Sequence, residues 1–216
     1  MGALSLTRST PSNQHYFERA ISRVREYRVI DLPSRVMIDR FDTRTWPQIV
    51  LTGFMGAGKS TLGSALAAQL DIPFFDSDLL IEAETHTSIA DLFRKVGEPR
   101  FRQLEHQCIA RVAARPQTVL ALGGGALMHP ATRLLLAPSC VVYLEVTAET
   151  SRVRIGDPAG RPLAQSANLE RLLTERDPIY RSTATFVLPE RAETQDATLA
   201  RLITALTQHL SPGQTP

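Results

Sequence analysis

Gly53-Phe54-Met55-Gly56-Ala57-Gly58-Lys59-Ser60 follows the apolar run Ile49-Val50-Leu51 and leads into Thr61-Leu62-Gly63-Ser64-Ala65-Leu66. The spacing fits G-x-x-x-x-G-K-[ST], the pattern of a phosphate-binding loop. Glycines let the backbone curl so that successive N–H groups point inward and form a nest for phosphate oxygens. The helix that starts at the loop's end adds its positive dipole terminus. Gly56, Ala57, Gly58, Lys59, Ser60 and Thr61 are therefore the predicted nucleotide-binding positions. In this pattern Lys59 reaches the β- and γ-phosphates and the Ser60 hydroxyl binds Mg²⁺. A chance match in a glycine-rich turn would lack the buried strand before it and the amphipathic helix after it.

Outward from the loop, the chain alternates between strand and helix patterns. Ile49–Thr52 reads as a first strand, and Lys59–Leu70 as a helix with Leu62, Ala65, Leu66 and Leu70 on one face. Pro73-Phe74-Phe75 is a short strand ending at Asp76-Ser77-Asp78. Helical spacing covers Leu79–Glu84, Ile89–Val96 and Arg100–Ala114. Thr118–Leu122 is an apolar strand running into Gly123-Gly124-Gly125. Pro130–Leu136 is helical, Cys140–Glu145 a strand, and Ala148–Ile155 a helix. The spacing predicts a further helix over Asn168–Asp177, stopped by Pro178, then a strand over Thr185–Leu188 and a closing helix over Thr198–Leu210. Such alternation implies right-handed crossovers and a parallel sheet covered on both faces. Ligands of such sheets bind beyond the carboxyl ends of the strands, where these polar and glycine clusters converge.

Length and composition suit one domain with an appendage. The chain has 216 residues and a formal net charge of +2. That balance gives no support for a dedicated nucleic-acid or membrane-surface protein. Lysine occurs only at positions 59 and 95, which makes the lysine of the loop conspicuous. Cys108 and Cys140 lie far apart in apolar surroundings without metal-ligand spacing, and read as two reduced, buried thiols. No apolar run approaches a membrane span, and the opening residues 1–6 are too short an apolar stretch for a secretory signal. The expected location is the cytoplasm.

Residues 1–47 read as an N-terminal extension, 48–210 as the domain and 211–216 as a tail. Residues 1–13 have the composition of a disordered segment. Phe17, Ala20, Ile21, Val24 and Tyr27 then fall at helical spacing among arginines. That helix can pack on the domain or on a second subunit, or form a basic arm. A monomer is expected, with weak dimerisation through the extension as the alternative.

Four further clusters bear on chemistry. Asp76 and Asp78 can project together from an extended segment toward the loop's phosphates, serving a Mg²⁺ and an acceptor hydroxyl. They equally suit a helix N-cap with an acidic first turn. Glu98, Arg102 and Glu105 lie within helical reach of each other, which also describes a solvated face of ion pairs. Gly123-Gly124-Gly125 allows close backbone approach to a ligand, or a flexible turn. Gly156-Asp157-Pro158-Ala159-Gly160-Arg161-Pro162 has the composition of a lid carrying an arginine at its tip, or of a surface turn.

Together these stretches resemble the shikimate kinases, a P-loop family related to the nucleoside monophosphate kinases. The resemblance covers Gln48 to Leu210 and rests on G-F-M-G-A-G-K-S-T, F-D-S-D, G-E-x-x-F-R-x-x-E, L-G-G-G, R-P-L and P-I-Y-R, in that order. It implies a three-layer αβα fold around a five-stranded parallel sheet of order 2-3-1-4-5, with lid and substrate-binding helices. It implies phosphorylation of shikimate at its 3-hydroxyl by ATP with Mg²⁺. Lys59 would hold phosphates, and Ser60 with Asp76 would serve the metal. Asp78 would take the acceptor's proton. Arg102 and Arg181 would grip the substrate carboxylate, Glu105 would orient Arg102 or bind substrate, and Gly124 and Gly125 would approach the ring. Arg161 would act on the phosphates, with Arg154 beside the adenine. The lid departs from the family in having Ala164 where a second leucine is common, and the extension lies outside the usual plan. A gluconate-type kinase and a non-catalytic ligand-sensing module are the alternatives. The extension is too short for a helix-turn-helix, and every catalytic position is filled.

Overall fold

The computed structural model describes residues 48–115, 117–155 and 169–210. The predicted helix within residues 17–27, the lid residues 156–162 with Arg161, Ala164 and the tail lie outside the described residues. Five strands form one parallel sheet: β1 (Ile49–Thr52), β2 (Phe74–Asp76), β3 (Val119–Ala121), β4 (Cys140–Leu144) and β5 (Phe186–Leu188). Their order is β2-β3-β1-β4-β5, as the resemblance implies. β1 pairs with β3 on one side (Leu51 opposite Ala121) and with β4 on the other (Leu51 opposite Val142). All four residues of β1 are buried, the pattern of a central strand covered on both faces.

The period of two in the strands divides the core into two apolar layers. Val50, Phe75, Leu120, Val141 and Tyr143 face one side. Ile49, Leu51, Val119, Cys140, Val142 and Leu144 face the other. The second layer is covered by α1 (Lys59–Leu70), through Leu62, Leu66 and Ala67, and by α7 (Gln195–Leu210), through Leu199, Leu202, Ile203 and Leu206. The first layer is covered by α2 (Ser77–Thr85), α3 (Ile89–Ala113) and α6 (Leu169–Thr183). The short helices α4 (Pro130–Leu136) and α5 (Ala148–Ile155) complete the domain. Each fully buried Leu, Ile, Val or Phe contributes about 1.5–3 kcal/mol relative to exposure, so these two layers carry most of the stability.

Of the boundaries that differ from the sequence expectation, three bear on how the domain is built. α3 runs as one element, but Gly97 within it has φ 72° and ψ 165°, so the expected break between two helices survives as a kink at that residue. α7 starts at Gln195 rather than Thr198, because the Thr194 hydroxyl accepts the Ala197 N–H and caps it. The third difference matters for function: α6 does not stop at Pro178 but continues to Thr183. Proline removes one helical hydrogen bond and crowds the preceding turn. Burial of Leu169, Leu172 and Tyr180 along one stripe of this helix outweighs that cost.

The loop after β1 is held by close backbone approach. Gly53 has φ +140°, and a side chain there would collide with the Leu144 carbonyl oxygen. Gly58 also has positive φ, +85°, but nothing lies within 4 Å of the corresponding point. Gly58→Ala therefore carries strain alone, about 1–2 kcal/mol, whereas Gly53→Ala adds a clash with backbone and should cost about 3 kcal/mol or more. Urea unfolding midpoints of the two variants test this; equal losses would contradict it.

Candidate active site

The strand order places the carboxyl ends of β1, β2 and β3 on one rim, around a cavity of about 650 Å³. The phosphate-binding loop forms one wall. α1 begins directly after Gly58 with no side-chain cap and no acidic residue in its first turn. Its first N–H groups and its dipole are thus left for an anion. Lys59 Nζ donates to the Gly53 and Phe54 carbonyls at 2.9 Å each, which curls the loop over its own ammonium. From the far side, Ser151 Oγ donates to the Met55 carbonyl at 2.8 Å and Arg154 Nη1 to that of Gly56 at 3.2 Å. Gly56, Gly58, Lys59, Ser60 and Thr61 line this cavity, while Ala57 lies beside a smaller one of about 280 Å³ that also contains Arg154.

Asp76 and Asp78 meet both of their readings in part. β2 stops at Asp76, whose Oδ1 accepts the Asp78 and Leu79 N–H groups at 2.9 and 3.3 Å, so it is the N-cap of α2. The extended pair is therefore not formed, because capping turns the chain into a helix one residue later. Even so, Asp76 Oδ2 receives the Ser60 hydroxyl at 2.5 Å, and both aspartates line the cavity. Ser77 Oγ accepts the Gly123 N–H at 2.8 Å, joining this corner to the end of β3.

The opposite wall is ionic and buried. Arg102 is 8% exposed and Glu105 1%, so these two do not form a solvated face, and Glu98 is the exposed edge of the cluster. Arg102 Nη1 donates to Glu105 Oε2 at 2.7 Å, and its Nε and Nη2 donate to Glu98 at 3.3 and 3.1 Å. The glycines make room for these groups. A methyl on Gly123 would lie 2.5 Å from Asp78 Oδ1 and 2.6 Å from Glu105 Oε1, and one on Gly125 would overlap the Arg102 guanidinium. Glu105 Oε1 is a buried acceptor without a hydrogen bond. Burial pushes this carboxyl up to about 7, against the opposing pull of Arg102.

The structure does not bring Arg181 to this cavity. Its Nε donates to Asp177 Oδ2 at 2.7 Å and its Nη2 pairs with Glu145, in a separate cavity on the outer side of α6. Arg176 takes the inner position instead. It is 6% exposed, lines the cavity with Asp78 and Arg102, and donates from Nη1 to the Gly124 carbonyl at 3.2 Å. The reason is the uninterrupted helix. Residues five apart on a helix point about 140° apart, so 176 and 181 cannot both face inward. Stopping the helix at Pro178 hid this. The signal was present, since Arg176 falls in the stripe Leu169, Leu172, Arg176, Tyr180 that is buried on this helix. A guanidinium in an apolar stripe marks a buried charge with a task.

A family model described as Shikimate kinase matches residues 55–207. A shikimate kinase of Burkholderia thailandensis is 45% identical over 145 residues, 65% of this chain and 79% of that one. One from Bradyrhizobium diazoefficiens is 41% identical over 171 residues, 77% and 82% of the two chains. Among solved structures, the shikimate kinase from Acinetobacter baumannii in complex with shikimate is 37% identical with a TM-score of 0.69, covering 76% of this chain and 95% of its own. The shikimate kinase from Aquifex aeolicus is 29% identical with a TM-score of 0.63, covering 74% and 95%.

The raised carboxyl of Glu105 has a consequence for stability. A folded-state value near 7 against an ordinary 4.5 means the folded protein binds this proton more tightly than the unfolded chain does. The associated stability is fully present below about pH 4.5 and is lost as pH rises through about 7. The unfolding free energy of the wild type minus that of Glu105→Gln should therefore fall by about 2 kcal/mol between pH 5 and pH 8. A difference that stays flat with pH would contradict the buried, proton-holding state.

Proposed function

The chain belongs to the shikimate kinase family, and we infer that it transfers the γ-phosphoryl group of ATP to the 3-hydroxyl of shikimate. The products are shikimate 3-phosphate and ADP, on the route to chorismate and the aromatic amino acids. The kinase unit is assigned to residues 48–210. Among the described residues, no helix is long and apolar enough to cross a membrane.

The observation that carries the reading is Arg176. A guanidinium has five N–H donors, and among the described residues Arg176 is engaged by the Gly124 carbonyl and the Tyr180 hydroxyl, which leaves donors over. Its remaining donors suit a planar carboxylate, which a guanidinium fork binds bidentately. Arg102 is held by Glu98 and Glu105 in the same cavity and adds positive potential there. Asp78 lies between this carboxylate-binding wall and the phosphate loop, in position to accept the proton of the attacking hydroxyl.

On the donor side, the loop's N–H groups and Lys59 receive the phosphates, and the smaller cavity beside Arg154 and Pro189 receives the nucleoside. The Ser60 hydroxyl and the Asp76 carboxylate are hard oxygen donors in contact with each other at the loop's end, which fits Mg²⁺ held by few protein ligands plus phosphates and water. Held by Ser60 and Asp76, such an ion would supply charge neutralisation to the phosphates. The arginine-finger role that the resemblance gives to Arg161 falls on a residue outside the described set.

A coupled assay of ADP release with ATP, Mg²⁺ and shikimate tests the reading. Absence of shikimate-dependent turnover, with nucleotide binding intact, would sink it. Within that assay Lys59→Ala should abolish turnover. Arg176→Lys should raise the KM for shikimate about 10- to 100-fold, the equivalent of losing a charge-assisted pair. Arg181→Lys should leave that KM within about threefold, because an exposed ion pair contributes little. The reverse ranking would restore Arg181 to the substrate.

A further inference from the structure

Tyr180 has no part in the functions assigned so far, yet it is fully buried against the cavity wall. Its hydroxyl donates to the Gly124 carbonyl, the same oxygen that accepts from Arg176 at 3.2 Å, and it also hydrogen-bonds the Arg176 side chain directly. The ring is held from behind by Tyr143, with centroids 5.1 Å apart, and the Tyr143 hydroxyl is anchored on Asp177 Oδ1 at 2.8 Å. Burial pushes the Tyr180 hydroxyl up to about 12, so it remains a donor at neutral pH.

What this hydroxyl fixes is a peptide with no side chain on either side. Gly124 and Gly125 leave their shared peptide plane softly restrained, because glycine accepts a wide range of dihedrals. That peptide is trans, so the Gly125 N–H points opposite to the Gly124 carbonyl. The Gly125 N–H makes no hydrogen bond among the described residues, and Gly125 lines the cavity with Asp78 and Arg176. A carbonyl clamped by two donors on one side thus sets the direction of a spare donor on the other.

We propose that Tyr180 is a positioning residue for the acceptor: through the Gly124 carbonyl it seats Arg176 and orients the Gly125 N–H, so that both meet the same carboxylate. The proposal rests on the reading of this cavity as the shikimate site. A tyrosine kept only for packing would need its ring alone, and Tyr143 already supplies an aromatic neighbour.

Tyr180→Phe keeps the ring and removes the clamp. The shikimate KM should rise about 5- to 20-fold, with the ATP KM and kcat within about twofold of wild type. A merely structural role would lower the active fraction and the melting temperature while leaving the shikimate KM unchanged, and that result overturns the proposal. The wild type assayed in parallel separates the two levels: no turnover there defeats the functional reading itself, whereas normal wild-type turnover with an unchanged variant KM defeats the role of Tyr180 alone. A second readout needs no variant. Saturating shikimate should slow hydrogen exchange of the Gly125 amide in the wild-type protein, and unaltered exchange at full occupancy overturns the proposal.

Discussion

Asp76 joins the two halves of the site. One of its oxygens receives the Ser60 hydroxyl from the phosphate loop, and the other receives the Asp78 and Leu79 N–H groups at the start of α2. A carboxylate in that capping position is favoured by the helix dipole as well as by the hydrogen bonds. Because the cap begins the helix immediately, Asp78 swings toward Gly123 rather than continuing along the strand. The Asp76 carboxylate, in contact with the Ser60 hydroxyl, therefore sits two residues from that of Asp78. Their separation is set by local backbone geometry, not by a long and compliant connection.

Around that joint, charge is buried where the apolar layers can support it. Arg102, Glu105 and Arg176 are all less than a tenth exposed. Removing such groups from water is costly unless they are paired and hydrogen-bonded. Arg102 is satisfied by Glu98 and Glu105, but Arg176 meets only the Gly124 carbonyl and the Tyr180 hydroxyl, and Glu105 Oε1 has no hydrogen bond. Those incomplete partnerships carry a cost in stability and are complementary to an anionic, hydroxyl-bearing ligand. The two core layers, with Leu66, Leu120, Val142 and Leu202 completely buried, tolerate the loss.

The parts legible in the sequence were those written in short range. The loop, the five strands, the break near Gly97 and the acidic N-cap at Asp76 each follow from neighbouring residues, and the arrangement of the loop, the aspartates and the glycines on one rim follows from parallel topology. Position across α6 was not legible in the same way. Pro178 is a strong local stop signal, but the decision to continue the helix belongs to Tyr180 and its contacts with Tyr143 and Gly124, which are remote in sequence. At that helix end Arg181 could cap carbonyls or point into the site; the resemblance, through P-I-Y-R, implied the second, and Arg176 was left unassigned. The burial of Glu105 was hidden for a related reason: a glutamate three residues from an arginine looks the same on a wet face as on a dry one. Only the glycines opposite, which leave room for both charges, tell the two apart.

The most direct measurement is a crystal structure of the protein with shikimate and a non-hydrolysable ATP analogue. The acceptor's carboxylate should lie on Arg176 and the Gly125 N–H. Its 3-hydroxyl should lie within hydrogen-bonding distance of Asp78 and in line with the terminal phosphate held by Lys59. Shikimate bound instead beside Arg181 and Glu145, with its ring outside the cavity shared by Asp78 and Gly125, would contradict the arrangement derived from this fold.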